Sequence, residues 1–396
     1  MGKIKILYVH QISSIGGASF CLLSILKSLN RDEYEPVVLL KCNGPLVDEL
    51  KKLEVQVYFL PELCAIPYNK SLFEIKTIIG YWNVLKGCKK FGQFLSYNQF
   101  DIVYLNNMML YPYLKKIKAS KSILHVREHW PLNEHVKQLT KAREVIGRYA
   151  TRLIAINHYS ASMFDNCADK TDIVYDWIDF SDRYKPYPLD DIFGESMNGK
   201  KVYLFTGGTN WTKGPATVIE TFTSCIKDEN ARLLILGVKP RKKETGIKTR
   251  IKQLLHLLGR KDPQAELQAM IAKDNRIKCL PGIYELKDII EQSYCMLSFF
   301  AIPHANLALA ESTILGTPVV AAETAESVEY SDGGRLAVLY PFGDKTAFSG
   351  AIDYLNNNYE RLKSTIQKDK GVIEKLFSPE RNIQVLNEVY KKAINS

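Results

Sequence analysis

The segment Ser13-Ser14-Ile15-Gly16-Gly17-Ala18 has the residue types of an anion-binding turn. It follows an apolar, strand-like run and opens a helical pattern. Glycine lets the backbone approach a ligand closely, and the free N–H groups at a helix start attract phosphate. Gly16 and Gly17 are therefore candidate ligand-binding residues. The spacing is not the Gly-x-Gly-x-x-Gly of a dinucleotide fingerprint, and glycine in such a turn can also serve geometry alone.

A second glycine turn, Gly207-Gly208-Thr209, lies between another apolar run and another helical pattern. Lys213 follows in the same loop and could place a positive charge against a diphosphate. A lysine near a helix start is often only a surface charge. The Gly-Gly turn and Lys213 in one strand–loop–helix unit favour the functional interpretation, so all four residues are candidates for donor binding.

Glu311 interrupts an otherwise apolar helix pattern over Leu307–Leu315, which ends at Gly316. A carboxylate among apolar neighbours is costly unless it is paired or hydrogen-bonded. Ribose hydroxyls are suitable donors to such a carboxylate. Glu311 is therefore a candidate site residue, and a plain surface position is the alternative.

Charged side chains follow a third apolar run, in His125-Val126-Arg127-Glu128-His129. Ligands of open α/β sheets bind beyond the carboxyl ends of the strands. Arg127 and Glu128 could perform acid–base or charge-stabilising work there. The alternative is a structural ion pair at the strand end.

Strands that alternate with helices must position these segments. The alternation predicts parallel sheets with right-handed crossovers, and two successive series predict two doubly wound domains. The predicted strands are residues 4–9, 35–40, 55–60, 102–105, 122–126 and 153–156, then 202–206, 233–236, 277–280, 295–299, 318–322 and 336–340. The predicted helices include residues 20–29, 215–223, 286–292 and 307–315.

Proline separates the two series. The run Tyr184-Lys185-Pro186-Tyr187-Pro188 cannot continue a helix or a central strand. We place the first domain at residues 1–185 and the second at residues 195–377. Ser378 and Pro379 have the residue types of a helix N-terminus, which predicts a last helix over 381–393.

The composition is that of a soluble globular protein. Hydrophobic residues make up 46% and charged residues 24% of the 396 positions, and no apolar run is long enough to span a bilayer. The first residues have the pattern of a strand rather than of a signal peptide, and Ile6 replaces the Ser or Thr of a myristoylation signal. The eight cysteines lack metal-ligand spacing, which predicts buried thiols in a reducing compartment and no structural metal.

The net charge of +10 favours polyanionic partners. No nucleic-acid motif accompanies the charge, so nucleotide phosphates or an anionic membrane surface are the better interpretations. A merely basic surface is the alternative. The basic run 239–243 and the amphipathic pattern 247–258 could lie on an anionic membrane, although an ordinary surface helix is the simpler interpretation.

Taken together, these segments resemble the retaining glycosyltransferases of family 4, over nearly the whole chain and most strongly over residues 201–345. The matching segments are Gly16-Gly17, Leu153–Asn157, Val174–Asp179, Gly237 and, most specifically, Glu311-Ser312 with Gly316-Thr317-Pro318-Val319-Val320-Ala321. The resemblance implies an α/β GT-B fold, with two Rossmann-like doubly wound domains facing a central cleft. It also implies that a C-terminal helix within residues 378–396 returns to the first domain.

The resemblance implies roles for the candidate residues. Gly16 and Gly17 would approach the donor phosphates or the acceptor. Lys213 would bind the diphosphate, and Glu311 would hold the donor ribose. The segment around Arg127 would face the donor sugar. The family needs no metal, and no cofactor is expected.

Three positions depart from the family pattern. Gly208 stands where the family has an arginine, and Pro303 stands where it has the first glutamate of Glu-x7-Glu. Arg127 stands where the family has a histidine. One positive charge and one sugar contact are thereby lost. We expect a variant donor-sugar loop in their place, in which backbone N–H groups and a histidine hold the sugar, at His304, Ala305, Asn306 and Leu307.

The expected function is transfer of a sugar from a nucleoside-diphosphate sugar to a hydroxyl acceptor, with retention, in cell-surface polysaccharide or glycoconjugate assembly. The expected partners are the donor, a carbohydrate or lipid-linked acceptor and an anionic membrane surface, without nucleic acid. The expected location is the cytoplasm, peripheral at the inner face of the membrane. An epimerase of the same fold and a non-catalytic nucleotide-sugar-binding protein are the alternatives. The catalytic candidates are Arg127, Glu128, Lys213 and Glu311.

Overall fold

The computed structural model describes residues 2–67, 75–128, 130, 136–181, 185–238, 263–283, 285–303 and 305–396. The chain divides into unit 1, which is Met1–Trp177 with Phe377–Ser396, and unit 2, which is Ile178–Leu376. This division lies before the proline-rich run at which the sequence places it. Trp177 stays with unit 1 because its ring is buried in an apolar core of that unit.

Unit 1 is built on a parallel sheet. Its strands are β1 (Ile4–His10), β2 (Tyr34–Leu40), β3 (Gln56–Phe59), β4 (Ile102–Leu105), β5 (Lys121–Val126), β6 (Arg152–Ala155) and β7 (Thr171–Ile173). Their order is β3-β2-β1-β4-β5-β6-β7, with Ile6 opposite Ile102 where β1 meets β4. The connections reverse direction between β1 and β4, which is where open α/β sheets bind ligands.

Both faces of this sheet are covered. Along β1, Leu7 and Val9 belong to one apolar core, and Ile6 and Tyr8 belong to another. Successive side chains of a strand point to opposite faces, so a strand buried on both faces is apolar throughout. This explains why five of the seven strands are predicted from apolar runs. The strand β3 is predicted although its residues are exposed or only partly buried, whereas β7 was not predicted because its three residues form no apolar run.

The helices of unit 1 cover these two faces. They are α1 (Gly17–Ser28), α2 (Pro45–Lys52), α3 (Ile75–Tyr97), α4 (Val136–Tyr149) and α5 (His158–Ser162), with 3-10 turns at Met108–Lys116 and Asp165–Lys170.

Unit 2 repeats the same plan with six parallel strands. They are β8 (Lys201–Phe205), β9 (Ala231–Leu236), β10 (Ile277–Leu280), β11 (Cys295–Ser298), β12 (Val319–Glu323) and β13 (Val338–Pro341), in the order β10-β9-β8-β11-β12-β13. The described helices are α6 (Leu189–Phe193), α7 (Pro215–Cys225), α8 (Pro263–Ala272), α9 (Lys287–Gln292), α10 (Leu307–Ile314), α11 (Ala325–Glu329), α12 (Lys345–Asn357), α13 (Tyr359–Asp369) and α14 (Gly371–Leu376), with a 3-10 turn at Trp211–Lys213. The direction reverses between β8 and β11, so the loops after these two strands lie at the switch point.

The last helix, α15 (Pro379–Ile394), begins where the sequence predicts a helix N-terminus. The Ser378 side chain accepts a hydrogen bond from the Arg381 N–H at 3.2 Å. The helix belongs to unit 1, where the Tyr390 hydroxyl lies 2.9 Å from that of Tyr8.

All eight cysteines are free. Cys42 and Cys225 are exposed, so the prediction of buried thiols is wrong for these two. Within the described ranges, no helix has both the length and the apolarity needed to cross a bilayer. The basic run 239–243 and the amphipathic pattern 247–258 lie outside the described residues.

Candidate functional site

The loop after β8 places Lys213 at the carboxyl end of the unit 2 sheet. The Asn210 side chain accepts a hydrogen bond from the Thr212 N–H at 3.2 Å and so begins the 3-10 turn that ends at Lys213. The Lys213 ammonium lies 4.4 Å from the centroid of the Phe300 ring. Burial lowers the pKa of Lys213 to about 7, and no carboxylate of the described residues offsets this effect. A desolvated ammonium without a counter-ion is suited to bind an anion.

Close packing explains the glycines of this loop. Gly208 has a φ of +56°, and a Cβ at this position would collide with the carbonyl of Gly237. A Cβ on Gly207 would collide with the Phe205 ring. No side chain fits at Gly208 in this backbone conformation. Thr209 follows these glycines and is partly exposed.

The segment before α10 lies against the Lys213 loop. The Ala301 N–H donates to the Thr212 carbonyl at 3.0 Å. The Asn306 side chain accepts from the Leu309 N–H at 3.3 Å and donates to the Ser298 hydroxyl at 3.0 Å. The protein therefore uses this side chain as a helix cap, and a donor-sugar role for Asn306 stays a prediction.

The other predicted residues of this segment differ in what the structure describes. Ala305 and Leu307 are partly exposed. His304 lies outside the described residues. A donor-sugar role for these positions stays a prediction.

Glu311 is buried in α10, with 5% of its surface exposed. The alternative of a plain surface position is therefore wrong. The helix ends as the sequence predicts, because Gly316 adopts a φ of +80° and the Thr317 N–H returns to the Ser312 carbonyl at 2.8 Å. This turn holds the buried carboxylate in a short helix that follows the switch-point strand β11.

The first turn of α1 is open at the carboxyl end of the unit 1 sheet. Gly16 begins the helix in an extended conformation, with φ −177° and no side-chain cap. A Cβ on Gly16 or on Gly17 would meet no atom within 4 Å. Packing therefore requires neither glycine, in contrast to Gly208. The free N–H groups of this helix start remain available to an anion.

The ends of β1, β4 and β5 bring a chain of polar side chains together in unit 1. Arg127 forms an ion pair with Asp176, and its Nε donates to Asn106 Oδ1 at 3.1 Å. Asn106 Nδ2 lies 3.2 Å from His10 Nδ1, and His10 Nε2 lies 3.2 Å from Ser19 Oγ in α1. The side chains of Arg127 and Asp176 are 7% and 18% exposed. Arg127 thus has the structural ion pair that the sequence allows as an alternative, and its catalytic role stays a prediction.

Glu128 follows Arg127 at the end of β5, and its carboxylate is held by two backbone N–H groups. Its Oε2 accepts from the Met108 N–H at 2.9 Å and from the Arg127 N–H at 3.1 Å. Burial raises the pKa of Glu128 to about 7, against the lowering effect of these two donors. Glu128 can therefore take up or release a proton near neutral pH.

Sequence reasoning missed four members of this polar chain: His10, Ser19, Asn106 and Asp176. His10 ends β1 and Asn106 directly follows β4, so their positions at the carboxyl ends of neighbouring strands were a usable signal. Asp176 lies 49 residues from Arg127 in sequence, and no local sequence pattern predicts that the two residues pair. Burial, with a smaller contribution from Arg127, lowers the pKa of His10 to about 4 and keeps this side chain neutral.

The two histidines of the predicted strand-end cluster do not join this chain in the part of the molecule that the structure describes. His125 is buried and its Nδ1 bonds the Tyr104 hydroxyl. His129 lies outside the described residues. Over the described ranges, no three His, Cys, Asp or Glu side chains converge to hold a metal ion.

Known proteins resemble this chain in sequence and in fold. Residues 200–358 match the family model described as "Glycosyl transferases group 1". Spore coat protein SA of Bacillus subtilis (strain 168) is 21% identical over 316 residues, which are 76% of this chain and 81% of that protein. The crystal structure of HepE from Anabaena in complex with UDP-glucose has a TM-score of 0.72 and 18% identity, with 98% of this chain and 99% of that chain covered. A glycosyltransferase structure from Rickettsia africae has a TM-score of 0.69 and 15% identity, covering 100% and 99%.

These likenesses show the fold. The chain has the GT-B fold of two Rossmann-like units, each with its own parallel sheet. The predicted fold class and the predicted resemblance to GT-B glycosyltransferases are confirmed. The assignment to family 4 stays a prediction.

Proposed function

We propose that this protein transfers a sugar from a nucleoside-diphosphate sugar to a hydroxyl acceptor. The observation that carries the proposal is the partly exposed Lys213 ammonium, which lies against the Phe300 ring and for which the described residues of unit 2 offer no carboxylate. It lies in the region that matches the glycosyl transferases group 1 model. A diphosphate supplies the negative charge that this environment lacks.

The chemistry follows from where charge develops. As the bond between the anomeric carbon and the diphosphate oxygen breaks, negative charge accumulates on the diphosphate. Lys213 and the N–H groups of its loop would stabilise that charge in the transition state. The new bond joins the anomeric carbon to the acceptor oxygen, and the acceptor hydroxyl gives up its proton. Glu311 would accept hydrogen bonds from the donor ribose.

We assign the acceptor to unit 1, which offers two features for it. Gly16 and Gly17 leave the first turn of α1 open to a ligand. Glu128, with its pKa raised to about 7, could receive the proton of a hydroxyl. The Arg127 side chain is paired with Asp176, so we assign it a structural role at this strand end, while its backbone N–H helps to orient the Glu128 carboxylate.

We further propose a UDP-sugar donor, because HepE was crystallised with UDP-glucose. The proposal includes transfer of a hexose with retention, and a role in cell-surface polysaccharide or glycoconjugate assembly, which the name of the spore coat relative supports. It includes a cytoplasmic location with peripheral membrane contact. It requires neither a metal ion nor an organic cofactor, because Lys213 and backbone N–H groups carry the leaving charge.

A thermal-shift screen against nucleoside diphosphates and their sugars tests donor binding first. A ligand at a hundred times its Kd stabilises the protein by about 2.7 kcal/mol. The preferred donor, radiolabelled, is then incubated with and without a pool of carbohydrate and lipid-linked acceptors. Label that moves only when acceptors are present supports the proposal. Conversion of the donor alone identifies an epimerase, binding without conversion identifies a binding protein, and no response to any nucleotide refutes the donor site.

A further inference from the structure

Helix α3 carries an apolar stripe on its solvent side. A surface helix normally turns polar residues outward. Here five large apolar side chains, at helical spacing over three turns, are 46–75% exposed: Ile75, Ile78, Ile79, Trp82 and Leu85. Single exposed apolar residues are ordinary, but a contiguous patch marks an interaction surface. We call these five residues the α3 stripe.

The opposite side of α3 is packed too closely for the helix to turn the stripe inward. Val84 and Phe91 are buried in the core of unit 1. A Cβ on Gly80 would collide with Pro67, and one on Gly87 would collide with the Tyr113 hydroxyl. The backbone of α3 therefore lies directly on its neighbours. The stripe is the side that this packing leaves to solvent.

The charge of α3 selects the partner. Its 23 residues contain no acidic side chain. Lys86, Lys89 and Lys90 continue the exposed side directly after the stripe. A helix with Trp and Ile beside lysines is typical of segments that lie in the interface of an anionic bilayer. Each lysine near such a surface adds about 1 kcal/mol of attraction.

We propose that the α3 stripe and these three lysines dock unit 1 on an anionic lipid surface. The helix lies in the plane of the interface, since none of the described helices is long and apolar enough to cross a bilayer. The stripe would enter the boundary between headgroups and acyl chains, while the lysines contact the headgroups.

A short series of contacts connects the stripe to Glu128. Gly80 lies beside Pro67, and the neighbouring Ile66 N–H donates to the Met109 carbonyl at 3.1 Å. The adjacent Met108 N–H donates to Glu128 at 2.9 Å. Docking would bring α3 and the nearby Glu128 segment toward the membrane, where a lipid-linked acceptor would lie. This consequence rests on the proposed sugar transfer, whereas the docking itself does not.

Flotation of the full-length protein with lipid vesicles tests the docking without nucleotide or acceptor. The protein should float with vesicles of phosphatidylcholine and phosphatidylglycerol, bind pure phosphatidylcholine far more weakly, and be released by salt. The variant Lys86→Gln/Lys89→Gln/Lys90→Gln should bind on the order of 100-fold more weakly at low salt. The matched control, Lys363→Gln/Lys368→Gln/Lys375→Gln, removes three exposed lysines of unit 2 and should bind like the wild type.

A second variant tests the apolar stripe. Ile79→Ser/Trp82→Ser/Leu85→Ser should bind the anionic vesicles more than ten-fold more weakly, because these three side chains supply much of the apolar surface that enters the interface. Its control, Tyr354→Ser/Val372→Ser, changes exposed residues of unit 2, which are 46% and 49% exposed, and should bind normally.

Three results would overturn the docking proposal. One is equal binding of the wild type to both kinds of vesicle. Another is unchanged vesicle binding by either α3 variant. The third is a wild type that ignores vesicles but forms a dimer in solution, with the serine variant monomeric, because the stripe would then be an interface between two copies. Loss of docking with intact donor binding separates a failure here from a failure of the proposed function.

Discussion

Replacing Lys213 by methionine should weaken diphosphate binding and raise the stability of the fold. Both effects follow from the desolvation of an ammonium group beside the Phe300 ring. Methionine keeps most of the apolar stem and removes the charge. The pKa of about 7 leaves about 90% of the wild-type side chain protonated at pH 6 and about 3% at pH 8.5. If only the protonated form binds a diphosphate, the apparent Kd of the wild type rises about 30-fold across this range.

Stability should change in the opposite direction. In the unfolded chain the ammonium loses its proton near pH 10.5, whereas burial lowers the pKa of Lys213 in the folded protein to about 7. Between these values the unfolded state binds more protons, so wild-type stability rises with pH. At pH 7 this burial costs about 4 kcal/mol, of which the contact with the Phe300 ring returns about 1 kcal/mol. The methionine variant should therefore be about 3 kcal/mol more stable, or roughly 6–12 °C in Tm.

Calorimetric titration with the best nucleotide sugar from the screen measures the first effect, since its diphosphate does not titrate in this pH range. Thermal unfolding between pH 6 and pH 10.5 measures the second. Lys345→Met is the matched control, because the Lys345 side chain is 62% exposed and forms a surface pair with Glu220. That variant should leave both readouts unchanged. Wild-type affinity that is flat from pH 6 to pH 8.5, or a methionine variant that binds normally, would refute the reasoning.

Four further predictions concern other candidate residues and their partners. Glu128→Gln should gain about 3 kcal/mol of stability relative to the wild type as pH rises from 4.5 through 7, because burial raises the pKa of Glu128 and the wild type loses this contribution across the window. The comparison cancels the rise in stability that the lowered pKa of His10 gives both proteins, and a difference in Tm that stays constant from pH 4.5 to pH 7 would contradict the prediction. Asp176→Asn leaves the Arg127 guanidinium buried without its ion pair and should destabilise unit 1 by about 3–5 kcal/mol in denaturant titrations; an unchanged midpoint would contradict a structural role for the pair. Gly208→Ala should lower Tm and donor affinity, because its φ is +56° and its Cβ would strike the backbone. Gly16→Ala should cost less stability than Gly208→Ala, because its Cβ meets no atom and only the poorer N-cap preference of alanine opposes it, and should chiefly reduce turnover; equal losses of Tm in the two variants would contradict it.

The fold could be predicted because most strands are buried on both faces. Such strands appear as unbroken apolar runs, as Ile102–Leu105 does. The edge strand Thr171–Ile173 has no such run and was missed. Helix α3 was missed for a different reason. Its apolar residues Ile75, Ile78, Ile79, Trp82 and Leu85 have helical spacing, but they lie on the exposed side, while Thr77 and Gly80 lie on the packed side.

The candidate site was predictable wherever a residue type is unusual in its local setting. Glu311 in an apolar helix pattern is such a case, and it is buried. The partner of Arg127 was not predictable, because Asp176 is 49 residues away and only the sheet brings them together. The sequence also did not indicate the protonation state of the site residues. The residues adjacent in sequence to Lys213 and Glu128 do not indicate that burial lowers the pKa of the lysine and raises the pKa of the glutamate, each to about 7.

The two Gly-Gly turns show why residue type and residue purpose need separate arguments. Both follow a first strand, and both would match one loose pattern. At Gly208 the left-handed backbone and the nearby Gly237 carbonyl demand glycine whether or not a ligand binds. At Gly16 the backbone is extended and the space is empty, so the fold makes no such demand. A glycine that packing does not require is better explained by a ligand that needs the space. Substitution of Gly16 is therefore the more informative test of ligand binding. Substitution of Gly208 should cause the larger loss of stability.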